Sequence, residues 1–523
     1  PHRDFAQIQS FFEGAPQGQG IPWMLWLRPL AYWIPFVLAL YLAMISTMVV
    51  LRKQWIENER LVFPLVQLPI AMLQEEDGDG RPGLLNAFFK NPLMWMGFAV
   101  PAIIQSINGI NFYFPYFARI SLDSSIPLFR DTMTIPLRLS FQMLGFSYFV
   151  NRDVAFGLCF FYLLNTLQQG LFNVLGVQKI DPVLGAYSTY TGSIIVHQGF
   201  GAVITLVLYG LWNARGHLRD VCRKAFTGTP AVDDSDEILS YRAALLILCA
   251  SLAFMGIWIW QSGLPAWITP IYLFFAFVLF IGITRVVAEG GLAVTKAPLY
   301  PADAAIGAVG SSSLGHVNLG AMGMTFPWAA DMRLTMMAAV IHGLRLAEHY
   351  VTVHRRRLFF GIMIAVFTAA VAAAVTILLL GYQHGALNLS VWFFGQGSAT
   401  APYTFTSYHL TNPTQASWDF FGVAGMGGGV QWLLTLASKR WLWFPIHPIA
   451  FPISAMWTTH HLMASIFIAW MVKSVVLRYG GVTLYRRTRP FFLGLILGHY
   501  AAGGLWCVID GFTGMTGNHL FFW

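Results

Sequence analysis

Ten apolar stretches of this chain contain no Asp, Glu, Lys or Arg, and they restrict its fold more than any other feature. A helix needs about 20 apolar residues to cross the hydrocarbon core of a bilayer. Backbone groups in lipid must be hydrogen-bonded within the segment, so the stretches predict helices rather than open strands. The stretches are 29–51, 91–118, 154–178, 182–214, 243–261, 264–284, 358–383, 420–438, 448–471 and 491–509.

The composition agrees with a chain that faces lipid. Hydrophobic residues make up 56% of it and charged residues only 10%, whereas soluble domains carry about 25% charged residues. We therefore predict an all-α polytopic membrane protein, a bundle of about ten spanning helices, with no soluble domain of any size.

The formal net charge of +8 does not indicate nucleic-acid binding. The basic residues occur in short runs beside apolar stretches, as in Arg52-Lys53 and Arg486-Arg487, which is the pattern of cytoplasmic loops and of contacts with anionic lipids. Membrane lipids are thus an expected partner, and nucleic acid is not. The loops expected on the cytoplasmic side are 52–60, 215–224, 345–357 and 473–489.

The predicted organisation is a short lead-in followed by one large domain. Residues 1–28 form an interfacial or soluble lead-in, and residues 29–523 form a single transmembrane domain. Within that domain, 215–240 is expected to be a cytoplasmic connector and 384–418 an outer loop.

The number of stretches between some basic loops is odd where a consistent orientation requires an even number. This conflict occurs at two places, and each disappears if one stretch forms a hairpin of half-helices or dips into the bilayer without crossing it. The stretch 182–214 is long enough for this at the first place, and Pro448 and Pro452 can break 448–471 at the second. The sequence alone does not choose the topology.

Two further segments are apolar but irregular. Residues 61–73 are too short to span and contain Pro64 and Pro69, while 304–324 contain five glycines. Such backbone is tolerated at membrane depth only where protein or a water-filled cavity surrounds it. We predict broken or re-entrant half-helices in both, the alternative being surface loops. In the second, His316 and Asn318 are candidate substrate contacts.

A motif after the first stretch carries a family resemblance. Residues 52–72 read RKQWIENERLVFPLVQLPIAM, in which Glu59 precedes Leu61, Phe63 and Pro64. This acid followed by a Leu-x-aromatic-Pro turn resembles the oligopeptide transporter superfamily, which includes the yellow-stripe-like metal-chelate carriers. The Arg-Lys-Gln-Trp-x-Glu start is most similar to a little-characterised bacterial branch.

A second motif follows the sixth stretch. Residues 283–298 read ITRVVAEGGLAVTKAP and place Arg285, Glu289 and the pair Gly290-Gly291 after a helix. This resembles an Arg-x-x-Ala-Glu-x-Gly element of the same branch. The two motifs are candidates for corresponding positions of an internal repeat, which transporter folds often contain.

The resemblance implies an ion-coupled secondary transporter of small peptides or metal-chelate-like solutes, with protons as the coupling ion, in a bacterial inner membrane. Family members have more spanning helices than the ten stretches, so we expect further helices before Pro1. A homo-oligomer or partners in a membrane complex are further expectations. The residues expected along the substrate and ion pathway are Glu59, Arg285, Glu289, Lys296, His316 and Asn318.

Arg285 and Glu289 are four residues apart, on one face of a helix. A charged group deep in a membrane is usually paired or faces a wet cavity, so they are the first candidates for charge coupling. The alternative is an ordinary ion pair at the membrane surface.

The competing function is a non-transporting membrane subunit that acts as a scaffold or holds a cofactor. His197, His460, His461 and His499 lie in apolar stretches, and histidines on facing helices can hold a haem. No CxxCH sequence, zinc-ligand spacing, nucleotide-binding loop or hydrolase motif is present. We therefore expect no cofactor, no metal and no enzymatic activity.

Overall fold

The structure is a computed structural model, and its description covers most of the chain. The described residues are 2–16, 18, 20–73, 87–177, 192–329, 335–351, 354–397, 399–441 and 443–518.

Helices dominate the described part of the chain. In its first half they are α1 His2–Glu13, α2 Trp23–Lys53, α3 Gln67–Leu73, α4 Ala87–Lys90, α5 Pro92–Tyr113, α6 Phe141–Phe149, α7 Arg152–Leu175, α8 Ser193–Asn213, α9 Arg215–Thr227 and α10 Tyr241–Gln261. They continue as α11 Thr269–Gly290, α12 Pro301–Val309, α13 Gly315–Gly323, α14 Phe326–Ala329, α15 Met336–Tyr350, α16 Arg356–His384, α17 Ala401–Thr411, α18 Trp418–Arg440 and α19 Trp457–Thr513.

Short turns of other helical types join these helices. Gln54–Asn58 and Val391–Gln396 are π-helical, and Pro64–Val66, Ser311–Ser313, Ala386–Asn388 and Pro448–Ile453 are 3₁₀-helical.

Nine helices of the described residues are long and apolar enough to cross a membrane, namely α2 with its π-helical extension, α5, α7, α8, α10, α11, α16, α18 and α19. The prediction of an all-α polytopic membrane protein is confirmed. The count is nine rather than ten because the last two predicted stretches lie on the single helix α19. Gly481, with φ 59° and ψ −160°, kinks α19 and divides it into two helical halves.

The ends of several elements differ from the prediction. Helix α2 begins at Trp23, inside the predicted lead-in, and accommodates Pro29 and Pro35 in its interior. The stretch 448–471 opens with 3₁₀ structure, because proline lacks the N–H that an α-helix requires. The first part of 182–214, where a hairpin was considered, lies outside the described residues.

The hydrophilic loops contain more regular structure than predicted. The connector 215–240 includes the 13-residue helix α9, and the loop 384–418 includes α17. A hairpin of β1 Asp123–Leu128 and β2 Met133–Arg138 was not predicted at all. Its Asp, Ser and Pro content gives little β signal, and its turn places three non-glycine residues at positive φ. The assignment of 29–523 to one domain stays a prediction.

The segment 304–324 is broken in the structure. Gly310 has φ 80° and ends α12, and Gly315 has φ 68° at the start of α13. A Cβ on Gly310 would lie 2.6 Å from the carbonyl carbon of Gln415, so this position requires glycine for both its φ and its close packing. The segment 61–73 is likewise divided into a 3₁₀ turn and α3.

The chain divides into two compact units. The first comprises Pro1–Arg60, Tyr209–Phe280 and Tyr300–Phe421, and the second comprises Leu61–Leu208, Ile281–Leu299 and Gly422–Trp523.

The first unit packs α2 against α10 and α15. Aromatic rings fill the contact between α2 and α10, where the Trp258 ring lies 4.3 Å from Phe36 and 4.8 Å from Tyr32 between centroids. Trp258 also donates a hydrogen bond from Nε1 to the Tyr32 carbonyl. A buried Trp of this kind contributes large apolar area and still satisfies its N–H.

The second unit is built around the close contact of α5 with the second half of α19. Glycines permit the approach, since a Cβ on Gly97 would lie 2.0 Å from the Phe491 carbonyl oxygen. Gly494 and Gly498, spaced as Gly-x-x-x-Gly, meet the α5 backbone in the same way. This is the small-residue packing typical of membrane helices, and it fixes the two helices that carry the cavity described below.

Candidate functional site

The six predicted pathway residues divide between the two units. Glu59, His316 and Asn318 belong to the first unit, and Arg285, Glu289 and Lys296 belong to the second.

In the second unit, Glu289 bridges two basic side chains. One of its carboxylate oxygens lies 3.3 Å from Arg285 Nε, one helical turn earlier on α11. The other lies 3.2 Å from His447 Nε2, which comes from the segment before the 3₁₀ turn Pro448–Ile453. The Glu289 and Arg285 side chains are only 16% and 15% exposed, so the cluster is largely shielded from solvent.

His447 is held in a defined tautomer. The backbone N–H of Ile449 donates to His447 Nδ1 at 3.4 Å, so the neutral ring carries its proton on Nε2 and donates it to Glu289. Burial is the main influence on its pKa and lowers it below the ordinary 6.5, while the Glu289 carboxylate acts in the opposite direction and Arg285 lowers it further. The neutral imidazole therefore donates to the Glu289 carboxylate.

The two motifs that carry the family resemblance meet beside this cluster. The Phe63 N–H donates to the Ala288 carbonyl at 3.1 Å, and Phe63 itself adopts φ 48°. Gly291, with φ 61°, lies so close to the Pro64 ring that a Cβ there would be 2.6 Å from Pro64 Cγ. The backbone on either side of Glu289 is thus tied to the turn of the first motif.

Lys296 lies near the end of the second motif, and its Nζ is 5.7 Å from the centroid of the Trp457 ring. This is within the range of a cation–π interaction. Trp457 also lines the cavity described below, so Lys296 contacts a residue of the cavity wall.

In the first unit, Glu59 follows the π-helical turn and accepts a hydrogen bond from Gln54 Nε2 at 2.9 Å. Nearby, the buried Arg52 guanidinium contacts three carboxylates. Its distances are 2.8 Å to Glu237, 2.6 Å to Glu348 and 3.2 Å to Glu57. Arg52 therefore joins the end of α2, the connector before α10 and helix α15.

The remaining two predicted residues lie on α13. His316 is exposed, and Asn318 donates from Nδ2 to the Leu314 carbonyl of its own helix. Asn318 thus contributes to the helical segment after the Gly310 break.

The second unit also contains a cavity of about 300 Å³. Its walls come from α5, the end of the hairpin, α6 and both halves of α19. The lining residues are Gln105, Asn108, Asn111, Phe112, Arg119, Leu122, Arg138, Leu139, Ser140, Gln142, Trp457, Thr458, His461, Leu462, His499, Gly517 and Asn518.

Two asparagines of α5 position one rim of the cavity. Asn108 exchanges two hydrogen bonds with the backbone of Ile120, at 2.8 and 3.0 Å, and Asn111 donates to the Phe117 carbonyl at 2.6 Å. These bonds fix the loop that presents the exposed Arg119. On the opposite side, Ser465 hydrogen-bonds the backbone of Arg138 at 3.1 Å.

Three buried polar atoms in the cavity wall have no hydrogen-bond partner among the described residues. They are Gln105 Oε1, Gln142 Oε1 and Thr458 Oγ1, on side chains no more than 3% exposed. Leaving a buried polar group unsatisfied costs about 1–3 kcal/mol. These atoms have almost no accessible surface, so they lie behind the surface of the cavity and do not open into it.

Sequence reasoning did not identify this cavity or His447. Gln105 and Gln142 are uncharged amides in apolar surroundings, and Arg138 lies in a hairpin that was not predicted. One signal was available, because a Gln within a stretch free of charge is a polar group that lipid does not accommodate well.

The histidines considered for cofactor binding have protein partners. His460 Nδ1 lies 3.0 Å from the Tyr162 hydroxyl, and His499 Nδ1 lies 2.6 Å from Gln105 Nε2. His461 bonds the Trp457 carbonyl one turn earlier at 2.9 Å. Among the described residues, no group of three or more His, Cys, Asp or Glu is arranged to hold a metal ion.

The fold defines the class of this chain as a multi-pass α-helical membrane protein. Within that class, it belongs to a family of unknown function, DUF6785, whose sequence profile matches residues 2–522. A search of curated proteins finds no match. A search of solved structures finds none either.

Proposed function

We propose that this chain is an ion-coupled secondary transporter of small peptides or metal-chelate-like solutes in a bacterial inner membrane. The observation that carries the proposal is the cluster of Glu289, Arg285 and His447. It places a carboxylate and a neutral imidazole in hydrogen-bonding contact at the end of an apolar helix. Shielded ionisable groups within membrane helices are expensive and are commonly retained for transport.

The chemistry of proton coupling follows from the geometry. A proton that binds to this pair removes the negative charge of Glu289 or makes His447 cationic, and either change alters the balance with Arg285. Ala288 and Gly291 contact the turn at Phe63 and Pro64. A change in the charge of Glu289 therefore acts directly on the divided segment 61–73. Protonation of the Glu289–His447 pair is thereby linked to the backbone of the two motifs that carry the family resemblance.

Uptake into proteoliposomes tests this proposal. Vesicles containing the wild-type chain are given an inward proton gradient, and accumulation of labelled trialanine and of a labelled ferric chelate is followed. We expect accumulation by the wild type and a loss of roughly tenfold or more in Glu289→Gln, with downhill exchange retained. Exchange needs the solute site but not the driving proton.

Asp236→Asn is the matched control, because Asp236 is an exposed carboxylate in the connector before α10. This variant should accumulate solute at the wild-type rate. Equal accumulation by Glu289→Gln and the wild type would exclude Glu289 from coupling. Absence of solute uptake by the wild type would favour a non-transporting scaffold instead.

A further inference from the structure

Helix α19 folds back on itself at Gly481. A straight helix of 57 residues would be about 85 Å long, yet Trp457 at its start and Gly517 just beyond its end line the same cavity. Lys473 Nζ also lies 5.1 Å from the ring centroid of Tyr485, although these residues are on opposite sides of the non-helical Gly481. The two halves of α19 therefore form a helical hairpin.

The bend of this hairpin is strongly basic. The charge-free stretches 448–471 and 491–509 lie on either side of it, and between them are five basic residues and no acidic one. The five are Lys473, Arg478, Arg486, Arg487 and Arg489. Charged groups are costly in hydrocarbon, so this segment, the basic bend of residues 473–489, lies at a membrane surface, where lipid headgroups are.

The inner face of the basic bend is fixed to the rest of the second unit. Lys473 is only 8% exposed, and its Nζ donates to the Val150 carbonyl at the end of α6, at 2.6 Å. Arg489 donates to Gln67 Oε1 at 2.8 Å, and its guanidinium lies 5.6 Å from the Phe149 ring centroid. Both halves of the hairpin are thus held in place, and the bend presents its outer side chains from a defined position.

The outer face of the basic bend carries cations without counter-charges. Arg478, Arg486 and Arg487 are exposed, and no carboxylate in the part of the chain that the structure describes pairs with any of them. The guanidinium group of arginine matches the oxygens of a phosphate in parallel hydrogen bonds. The outer face therefore has the chemistry to bind a phosphate group.

The remaining cations of this region add to the positive charge. Lys473 is within electrostatic range of both Arg152 and Arg489. Arg152 lies 3.8 Å from the Asp153 carboxylate, which offsets one of these charges. Because like charges at short range repel, the excess of cations favours an anion beside the bend.

Exposed apolar side chains accompany the outer cations. Tyr479, Val482 and Leu484 are 80%, 60% and 38% exposed, and the Arg478 guanidinium lies 5.9 Å from the Tyr479 ring centroid. A soluble phosphate has no apolar part to contact such side chains, whereas a phospholipid has acyl chains beside its phosphate. Tyrosine is also typical of the headgroup level of membranes. The combination favours a lipid.

We propose that the basic bend binds the headgroup of an anionic phospholipid. Its phosphate lies among Arg478, Arg486 and Arg487, while Lys473 and Arg489 add positive potential from the inner face. This inference goes beyond the proposed function and does not depend on it, since a scaffold subunit could bind the same lipid.

Native mass spectrometry of the full chain in detergent tests the proposal. The chain is titrated with dioleoyl phosphatidylglycerol and, separately, with dioleoyl phosphatidylcholine, which has the same acyl chains and no net charge. We expect phosphatidylglycerol to bind about tenfold or more tightly than phosphatidylcholine. Equal binding of the two lipids would overturn the proposal. Displacement of phosphatidylglycerol by inorganic phosphate, at an ionic strength where chloride leaves it bound, would assign the site to a soluble phosphate and overturn it too.

A double variant locates the site. Arg486→Gln combined with Arg487→Gln removes two exposed charges and leaves the inner contacts of the basic bend intact. It should weaken phosphatidylglycerol binding about tenfold, with an unchanged melting temperature in lipid-free detergent.

The matched control is Arg356→Gln combined with Arg357→Gln, since these two exposed arginines begin the apolar helix α16 of the first unit. This control removes the same charge and should retain phosphatidylglycerol as the wild type does. An equal loss of phosphatidylglycerol in both double variants would show that overall charge holds the lipid, and would contradict a site at the basic bend.

Discussion

At the residue scale, the His447–Glu289 pair combines two opposing influences. Burial disfavours a charged imidazole, and the nearby carboxylate favours it, with burial the larger of the two. The result is a group that is neutral at neutral pH yet in direct contact with a carboxylate that would stabilise its protonated form. This combination is suited to a site that binds and releases a proton during a cycle.

The lowered pKa of His447 predicts how stability depends on pH. The unfolded chain takes up the proton near pH 6.5, whereas the folded chain takes it up only at lower pH. His447 therefore makes its full contribution to the free energy of unfolding above pH 6.5, and this contribution decreases as pH falls below 6.5. When pH is lowered from about 7.5 to about 5.5, the melting temperature of His447→Gln should fall by less than that of the wild type.

His316→Gln is the matched control for this measurement, because His316 is exposed. Its melting temperature should fall with pH as the wild-type value does. The interpretation of His447 would be refuted if both variants retained the wild-type pH dependence.

Arg52 in the first unit gives a second prediction for a single residue. Arg52→Met leaves the fully buried Glu237 without its main counter-charge, and breaking such a pair costs about 3–5 kcal/mol. Thermal unfolding in detergent should show a clear loss of stability. Arg345→Met is the comparison, since Arg345 is 31% exposed and pairs with Glu348, and it should cost at most about 1 kcal/mol. Similar losses in both variants would argue against a central role for Arg52.

At the scale of elements, the contact of α5 with α19 depends on glycine. A Cβ on Gly498 would lie 2.3 Å from the Phe98 carbonyl oxygen, so Gly498→Ala must push the two helices apart. Overpacking of this kind costs about 1–3 kcal/mol. The melting temperature of Gly498→Ala in detergent should therefore fall below that of the wild type.

Gly504→Ala is the control on the same helix, since nothing lies within 4 Å of the position where its Cβ would be. It should be neutral or stabilising by about 0.5–1 kcal/mol. If Gly498→Ala were equally harmless, the close helix contact would not be essential to the second unit.

The sequence predicted the spanning helices because their signal is local. An uncharged stretch such as 358–383 is long and apolar by itself, and the structure places α16 there. The hairpin could not be predicted in this way, since its strands contain Pro127 and Pro136 and its turn residues adopt positive φ. Its pairing depends on contacts that only the folded chain provides.

The site was predicted only in part for a similar reason. The pairing of Arg285 with Glu289 follows from helical spacing, and the structure has both in contact. His447 lies 158 residues farther along the chain than Glu289, and no local pattern connects the two. The cavity is likewise formed by distant segments, so its glutamines carried no recognisable motif.

At the scale of the whole molecule, the second unit contains both the pair of Glu289 and His447, on which the proposed function rests, and the cavity lined by α5 and α19. Lys296 of the second motif lies within cation–π range of Trp457, which lines the cavity. The proposed function requires solute and proton to move through this protein together.

Simultaneous measurement of solute and proton entry tests this requirement. Proteoliposomes are loaded with a pH-sensitive dye, and trialanine or the ferric chelate, whichever the wild type accumulates, is added outside. We expect the lumen to acidify as solute enters, Glu289→Gln to abolish this acidification, and Asp236→Asn to preserve it. Solute entry with no change in lumenal pH, or acidification that persists in Glu289→Gln, would contradict it.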